Sequence, residues 1–352
     1  MADDFAEKLK AVEERIAAEE QLKTEADVAQ QKADGRVNII PFPRRAAQPF
    51  RSELTVERHA IFVSQSYKHD FWRYEKTITH PESGEPVVQR VTVGKVHDKD
   101  RARGVLTQEH QATLYRILAL WGEQGYPLAE SDGKHYGVVT TSAYDLVQAI
   151  AGADGANHYK RVRTLLQDLH SIPIVLENGY TWRGVKDLEQ FTLLSILQWE
   201  ERKADADAAA GTPGPGKSEV RIMLSRLVTE GFLRKNVKQL LLGTYEELGG
   251  GKQGPQAGIA RLLYARLDSE LASKDEYHVR LVELGRRLGL AEKRYKSQRA
   301  QQFASAIQLL QGKPIHGERH RLRVELRESE EGEDFVLVAR REPNQLGLFG
   351  ES

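Results

Sequence analysis

Apolar and polar positions along this chain form short periodic segments, separated by breaks rich in Gly, Pro or acidic residues. Phe71–His80 and Val87–Val96 alternate apolar with polar residues on either side of Pro81-Glu-Ser-Gly-Glu-Pro86, the pattern of a β-hairpin. A helical period then begins at Thr107, with Leu114, Ile117, Leu118 and Trp121 on one face and Gly122 and Gly125 at its end. A second helix is predicted from Thr141 or Ser142 to Ala151, and a third from about Ala156 to His170, across the turn Gly152-Ala-Asp-Gly155. Ile172–Glu177 and Tyr180–Arg183 flank Asn178-Gly179, a pair that favours the left-handed backbone of a tight hairpin turn. A long strand is predicted over Phe191–Glu200.

Residues 202–217 break the pattern with Ala-Asp repeats and Gly211-Thr-Pro-Gly-Pro-Gly216, and Val220–Leu224 resumes as a strand, so the break reads as a long hairpin tip. The order then repeats. Gln256–Leu271 is predicted helical with Ile259, Leu262, Leu263 and Leu267 inward, Val279–Leu288 is a second helix, and Glu292–Gln311 a third, with Phe303, Ile307 and Leu310 buried. Leu322–Leu326 and Phe335–Val338 alternate around Ser-Glu-Glu-Gly-Glu-Asp as a second hairpin. Helix, helix, helix, hairpin is the order of a winged helix-turn-helix. The expected fold is therefore α+β, with two tandem winged-helix domains at 52–235 and 236–341.

The flanks differ in texture. Residues 2–32 hold no Gly or Pro and are rich in Ala, Glu, Gln and Lys, so 1–34 reads as an acidic helix. Phe5, Leu9, Val12 and Ile16 make a 4-3-4 stripe about two heptads long, compatible with a solvated helix or with self-association. Pro41, Pro43 and Pro49 with Arg44 and Arg45 make 35–51 an extended linker, and 342–352 a flexible tail.

Composition narrows the chemistry. The chain has 352 residues, which suits about two domains at ~150 residues each. With no cysteine it has no disulfide scaffold, thiolate zinc site or cysteine nucleophile. No apolar run approaches the ~20 residues of a membrane span, and the acidic start is unlike a signal peptide, so a cytoplasmic location without membrane contact is expected. Fifty-one basic and 51 acidic side chains cancel, which at first argues against nucleic acid. The charge is uneven, however. Residues 1–34 carry ten acids against five bases, and 342–352 add Glu342 and Glu351 with no base, which leaves +7 on residues 35–341.

Much of that excess falls on the two third helices. Val162, Leu165, Leu166 and Leu169 form a buried stripe that turns Asn157, His158, Lys160, Arg161, Arg163 and Thr164 outward. The later helix carries Lys293, Arg294, Lys296, Gln298 and Arg299, has no acid from Lys293 to Lys313, and follows Arg286 and Arg287. A recognition helix needs one apolar face for docking and one basic or polar face for the major groove. Arg and Lys suit guanine and phosphate, Asn and Gln suit adenine, and double-stranded DNA is the expected ligand.

Other chemistry is sparse. Gly211-Thr-Pro-Gly-Pro-Gly-Lys-Ser218 matches the Walker A pattern by letter, leaving a P-loop NTPase using Lys217 as one alternative. An Ala-Asp run precedes it instead of a strand, and Pro213 and Pro215 remove two of the amides that cradle phosphate. His316 and His320 are separated by Gly317 in a strand context, which spoils a helical metal pair. Neither an enzymatic activity nor a metal or other cofactor is expected.

Near the end, Gln345-Leu-Gly-Leu-Phe349 sets Leu346, Leu348 and Phe349 on a polar tail. The pentapeptide resembles the bacterial sliding-clamp-binding motif, in which Gln makes polar contacts and the Leu residues and Phe fill an apolar pocket. Gly347 departs from that motif at its loosest position. The body, through Asn157-His-Tyr-Lys-Arg-Val-Arg163, Ile172–Leu176, Phe191–Leu197, Ile259-Ala-Arg-Leu-Leu-Tyr264 and Tyr295-Lys-Ser-Gln-Arg299, resembles plasmid replication initiators of the tandem winged-helix (Rep) type over about 52–341. The resemblance implies sequence-specific binding to repeated origin sites, recruitment of host helicase and sliding clamp, and dimers as well as monomers. A winged-helix transcriptional repressor without a replication role is the other alternative, and the acidic N-terminal helix has no counterpart in the family core.

Overall fold

A computed structural model describes residues 39–40, 51–53, 59, 61–65, 67, 69, 71–79, 84–94, 104–131, 133–181, 184–200, 218–235, 237–248, 254–316 and 319–343. The fold is α+β. In chain order the elements are β1 (Ile39–Ile40), β2 (Arg51–Glu53), β3 (Phe71–Thr79), β4 (Pro86–Gly94), α1 (Gln108–Glu123), β5 (Leu128–Ser131), β6 (Lys134–Ser142), α2 (Ala143–Ala151) and α3 (Ala156–Ser171). Then come β7 (Ile174–Thr181), β8 (Gly184–Phe191), β9 (Leu194–Glu200), β10 (Glu219–Leu224), α4 (Arg226–Leu233), β11 (Val237–Gln239) and α5 (Leu242–Glu247). The rest of the described chain is α6 (Gly254–Glu270), β12 (Glu276–Arg280), α7 (Leu281–Arg287), α8 (Lys296–Leu310), β13 (Pro314–Ile315), β14 (His320–Glu328) and β15 (Phe335–Pro343).

Local chemistry sets the helix boundaries. Ser142 caps α2, its hydroxyl accepting the Asp145 N–H at 3.0 Å, and Gly152 ends the helix in the left-handed region at φ 67°. His110 accepts the Thr107 N–H on Nδ1 at 3.0 Å, which leaves Nε2–H to donate to Asp168 at 3.2 Å. That bond ties the start of α1 to α3. The buried stripe of α3 is Val162, Leu165, Leu166 and Leu169, as its periodicity predicts. In α8 it is Phe303, Ala306, Ile307 and Leu310.

In each half a strand that the periodicity does not show leads into the second helix. β6 runs directly into α2, and β12 directly into α7. Tyr277 and Val279 are the buried residues of an alternating strand, so the helix expected over Val279–Leu288 is confined to Leu281–Arg287. The expected strand Phe191–Glu200 breaks at Thr192-Leu193, where the Leu193 N–H donates to the Leu169 carbonyl at 3.2 Å, and its two pieces join different sheets.

The hairpin expected to close the first unit is also placed differently. β7 runs straight through Asn178-Gly179, with Gly179 opposite Lys186 in β8. Asn178 has φ 50°, but its amide donates to the Val88 carbonyl at 2.8 Å, so it links β7 to β4 instead of turning the chain. These strands form a four-stranded sheet in the order β3-β4-β7-β8. A different sheet, β1-β5-β6-β10-β9, carries the pair joined through 201–217. In the second half the order is β12-β15-β14-β13.

The two halves share a core order of helix, strand, helix, helix and two strands, with the first strand paired to the last (β6 with β10, β12 with β15); the first half adds β5 before β6 and β7–β8 after α3, and the second adds β13. Most buried apolar side chains form one continuous cluster from Ile61 and Trp121 through Tyr245 to Phe303 and Leu337, and Ala129, Val138 and Met223 form a small second one. Tyr115 of α1 meets Tyr245 of α5 edge to face at 4.9 Å.

Candidate nucleic-acid interface

In the first half, the Gly152–Gly155 turn joins α2 to α3, and one face of the N-terminal half of α3 is exposed. Asn157, Lys160, Arg161, Arg163 and Thr164 are exposed, and His158 is half-buried. Arg161 reaches Glu109 at 3.1 Å, and Glu109 also accepts from the Gln65 amide at 2.6 Å. The Arg163 guanidinium lies 6.0 Å from the ring of Trp199 on β9. The cationic face is therefore partly oriented by neighbours from α1 and the sheet.

The second basic segment is arranged otherwise. Lys293 and Arg294 precede α8 instead of lying on it, because the helix starts at Lys296 with Tyr295 as its extended cap residue. Arg294 is exposed with its guanidinium 5.6 Å from the Tyr295 ring, and Tyr295 itself is 58% exposed. Gln298 is exposed. Arg299 points inward: Nε donates to Asp334 at 2.8 Å, Nη1 to the Lys293 carbonyl at 2.9 Å, and Nη2 to the Glu333 carbonyl at 3.0 Å. Its side chain is 14% exposed, so the guanidinium fastens the turn before α8 to the β14–β15 tip. Lys296 pairs with Glu328 and donates to the Gly332 carbonyl at 2.9 Å. Of this group, Arg294 and Gln298 are the members with open access to solvent.

Sequence reading missed the joint between the halves. Val63 accepts from the Gln108 N–H at 3.1 Å and donates to the Leu106 carbonyl at 2.9 Å, while the next residue, Ser64, donates to the Leu288 carbonyl at 2.8 Å. One short segment thus bonds the start of α1 and the end of α7. Arg287, only 6% exposed, donates from Nε to the Tyr74 hydroxyl at 2.6 Å and from Nη1 to that of Tyr277 at 3.2 Å. Lys76 joins this cluster; burial, then Arg287 and Arg266, pull its ammonium down to about 8, against Glu270 and Glu283. Burial pushes the Tyr74 phenol up. Arg286 and Arg287 read alike in sequence, and only long-range packing separates the exposed one from the buried one.

The Walker-like segment lies outside the described residues up to Lys217. Ser218 accepts the Ala143 N–H through its carbonyl at 2.8 Å and leads into strand β10 instead of the helix a P-loop requires. Gln345, Leu346, Leu348 and Phe349, and the helix expected over 1–34, also lie outside the described residues. Among the described residues, no helix is long and apolar enough to cross a membrane, and no group of three or more His, Cys, Asp or Glu side chains could hold a metal ion.

No protein-family model matches the chain, and no curated protein matches it. Two crystal structures of RctB show similarity to the chain. One, of its domains 2 and 3, has a TM-score of 0.45 at 10% identity and covers 82% of this chain and 96% of that one. The other, of residues 155–483, has a TM-score of 0.44 at 12% identity and covers 83% of this chain and 98% of that one.

Proposed function

We propose that this protein is a sequence-specific double-stranded DNA-binding protein without enzymatic activity, and that it initiates replication at repeated origin sites of a plasmid or related mobile element. One observation carries the reading: two units share a sheet order, β6-β10-β9 and β12-β15-β14, and a core connectivity into which the first inserts β7–β8, and each has a basic segment at the start of its third helix. This order supports a winged-helix reading, in which the third helix is the element that would enter the major groove. Asn157, His158, Lys160, Arg161 and Arg163 would face DNA from the first unit, and Lys293, Arg294, Lys296 and Gln298 from the second. Arg299 would act by holding the second segment in place.

The +7 body supplies the counterion-release term that drives such binding and makes it salt-sensitive. Gln345, Leu346, Leu348 and Phe349 would recruit the bacterial sliding clamp, on the strength of the pentapeptide alone. A replicative helicase and a second copy of the chain are further partners of this reading, and its location is the cytoplasm.

Footprinting on the DNA flanking the protein's own gene tests the proposal. Several protected repeats are expected; one protected operator would identify a repressor, and no protection would remove the DNA-binding reading. Deleting residues 345–349 is expected to abolish capture of purified sliding clamp, and retained capture would overturn that assignment.

A further inference from the structure

The tip between β14 and β15 reads Glu328-Ser-Glu-Glu-Gly-Glu-Asp334, five carboxylates in seven residues with no base. In a winged helix this tip flanks the recognition helix and ordinarily lies against the DNA backbone, where acidic groups are repelled. Here it is fastened beside the start of α8. Asp334 is buried, accepting the Val282 N–H at 3.0 Å and the Arg299 guanidinium at 2.8 Å, so the root of the tip is fixed to both α7 and α8. Farther out, Glu331 accepts from Arg280 at 2.9 Å, while Glu328 and the Gly332 carbonyl hold the Lys296 ammonium. Glu330 and Glu333 are exposed.

We propose that this acidic tip is an internal competitor for Lys296 of the second basic segment and for the neighbouring Arg280 of β12, and acts as a specificity filter. The inference rests on the DNA-binding reading above. Lys296 and Arg280 already have oxygen partners in the free protein, and a DNA phosphate must replace Glu328 or Glu331 to reach them. Electrostatic affinity for any duplex is lowered by this exchange and by repulsion from the remaining carboxylates. Stable binding then depends on base contacts, for which Arg294 and Gln298 remain accessible. The tip also sets carboxylates near the N-terminus of α8, where the helix dipole favours them and disfavours Lys296 alone. The closed arrangement is therefore the resting one.

The test uses the full chain, a random-sequence duplex of about 30 base pairs, and a duplex of the flanking DNA protected in footprinting. Glu328→Gln with Glu331→Gln keeps side-chain length and leaves the Asp334 anchor intact. The double variant is expected to bind the random duplex roughly 5- to 30-fold more tightly at low salt, with a smaller gain on the protected duplex. Its log–log salt slope should steepen by roughly one unit per freed cation. Adding Lys296→Ala should reverse part of the gain. An unchanged affinity for random DNA, or an equal gain on both duplexes, overturns the filter while leaving the DNA-binding reading intact. If the wild type binds neither duplex, the reading itself fails and the filter with it.

Discussion

The Arg287 guanidinium, from the end of α7, donates to the phenol oxygen of Tyr74 on β3 at 2.6 Å, across 213 residues of chain. Tyr74 passes the interaction on, donating to Glu283 at 3.2 Å, and Tyr277 accepts a second Arg287 N–H. A buried cation is tolerated here because its fork finds two phenols and a carboxylate. Through this cluster the β3–β4 hairpin is joined to the second helix of the second unit. Arg287→Leu should destabilise the protein by about 2–4 kcal/mol, with Arg287→Lys recovering little because one ammonium cannot span both hydroxyls. Urea unfolding midpoints check this, and a lysine variant as stable as wild type would contradict the forked geometry.

Lys76 faces Arg287 and Arg266 in the same cluster, with Glu270 and Glu283 opposing them. Its folded value of about 8 lies below the ~10.4 of an unfolded lysine. Between those values the unfolded chain binds more protons, so stability rises with pH; below about 8 the penalty is constant. The raised Tyr74 phenol acts in the opposite direction above ~10, where its ionisation favours unfolding. Lys76→Met should remove the rise and stabilise the protein at neutral pH by on the order of 1 kcal/mol. Denaturation at about pH 7 and about pH 9.5 would show it; identical pH profiles for variant and wild type would contradict the buried ammonium.

Gly289 ends α7 at φ 62°, and a Cβ there would lie 2.9 Å from both the Val63 Cβ and the Tyr67 ring. Gly289→Ala combines left-handed strain with a clash against β-branched Val63, a cost of about 2–4 kcal/mol. The loss should appear as faster amide exchange at Ser64, whose N–H bonds the Leu288 carbonyl. Unchanged exchange there would mean that the segment yields without opening the joint.

Arg294 and Arg299 are five residues apart and have different expected roles. Arg299→Ala should lower stability by about 3–5 kcal/mol, since it leaves buried Asp334 without its cation and frees the carbonyls of Lys293, Arg294 and Glu333. Arg294→Ala should leave the melting temperature within a degree or two and weaken binding to duplex DNA. Calorimetry on both variants with a salt titration of DNA affinity separates the two; equal melting losses would contradict the assignment.

Much of the fold was legible because burial imposes a period. The stripe Val162, Leu165, Leu166 and Leu169 follows from helical spacing, as do Ser142 and Gly152 as the ends of α2. The β3–β4 and β14–β15 hairpins follow from alternation around polar tips. Strands β6 and β12 were hidden because each runs without a break into a helix, so that Tyr277 and Val279 merge with the stripe of Leu281, Leu284 and Leu288. Asn178-Gly179 misled because a left-handed residue can link strands as well as turn them, and the choice depends on the Val88 carbonyl beside it.

By itself the sequence determined the α+β class, the third helix of each half with its buried face, the repeated order of elements, and the basic body between acidic ends. These depend on near neighbours in the chain, and period and composition encode them. Only the tertiary structure decided which strands share a sheet, that the expected strand Phe191–Glu200 divides between two sheets, and that Arg287 and Arg299 are internal fasteners while Arg294 and Lys160 stay in water. Each of those outcomes turns on partners far away in sequence, such as Tyr74 for Arg287 and Asp334 for Arg299. A basic residue looks the same in the chain whether its charge meets solvent or a buried carboxylate, and the packing around it makes that difference.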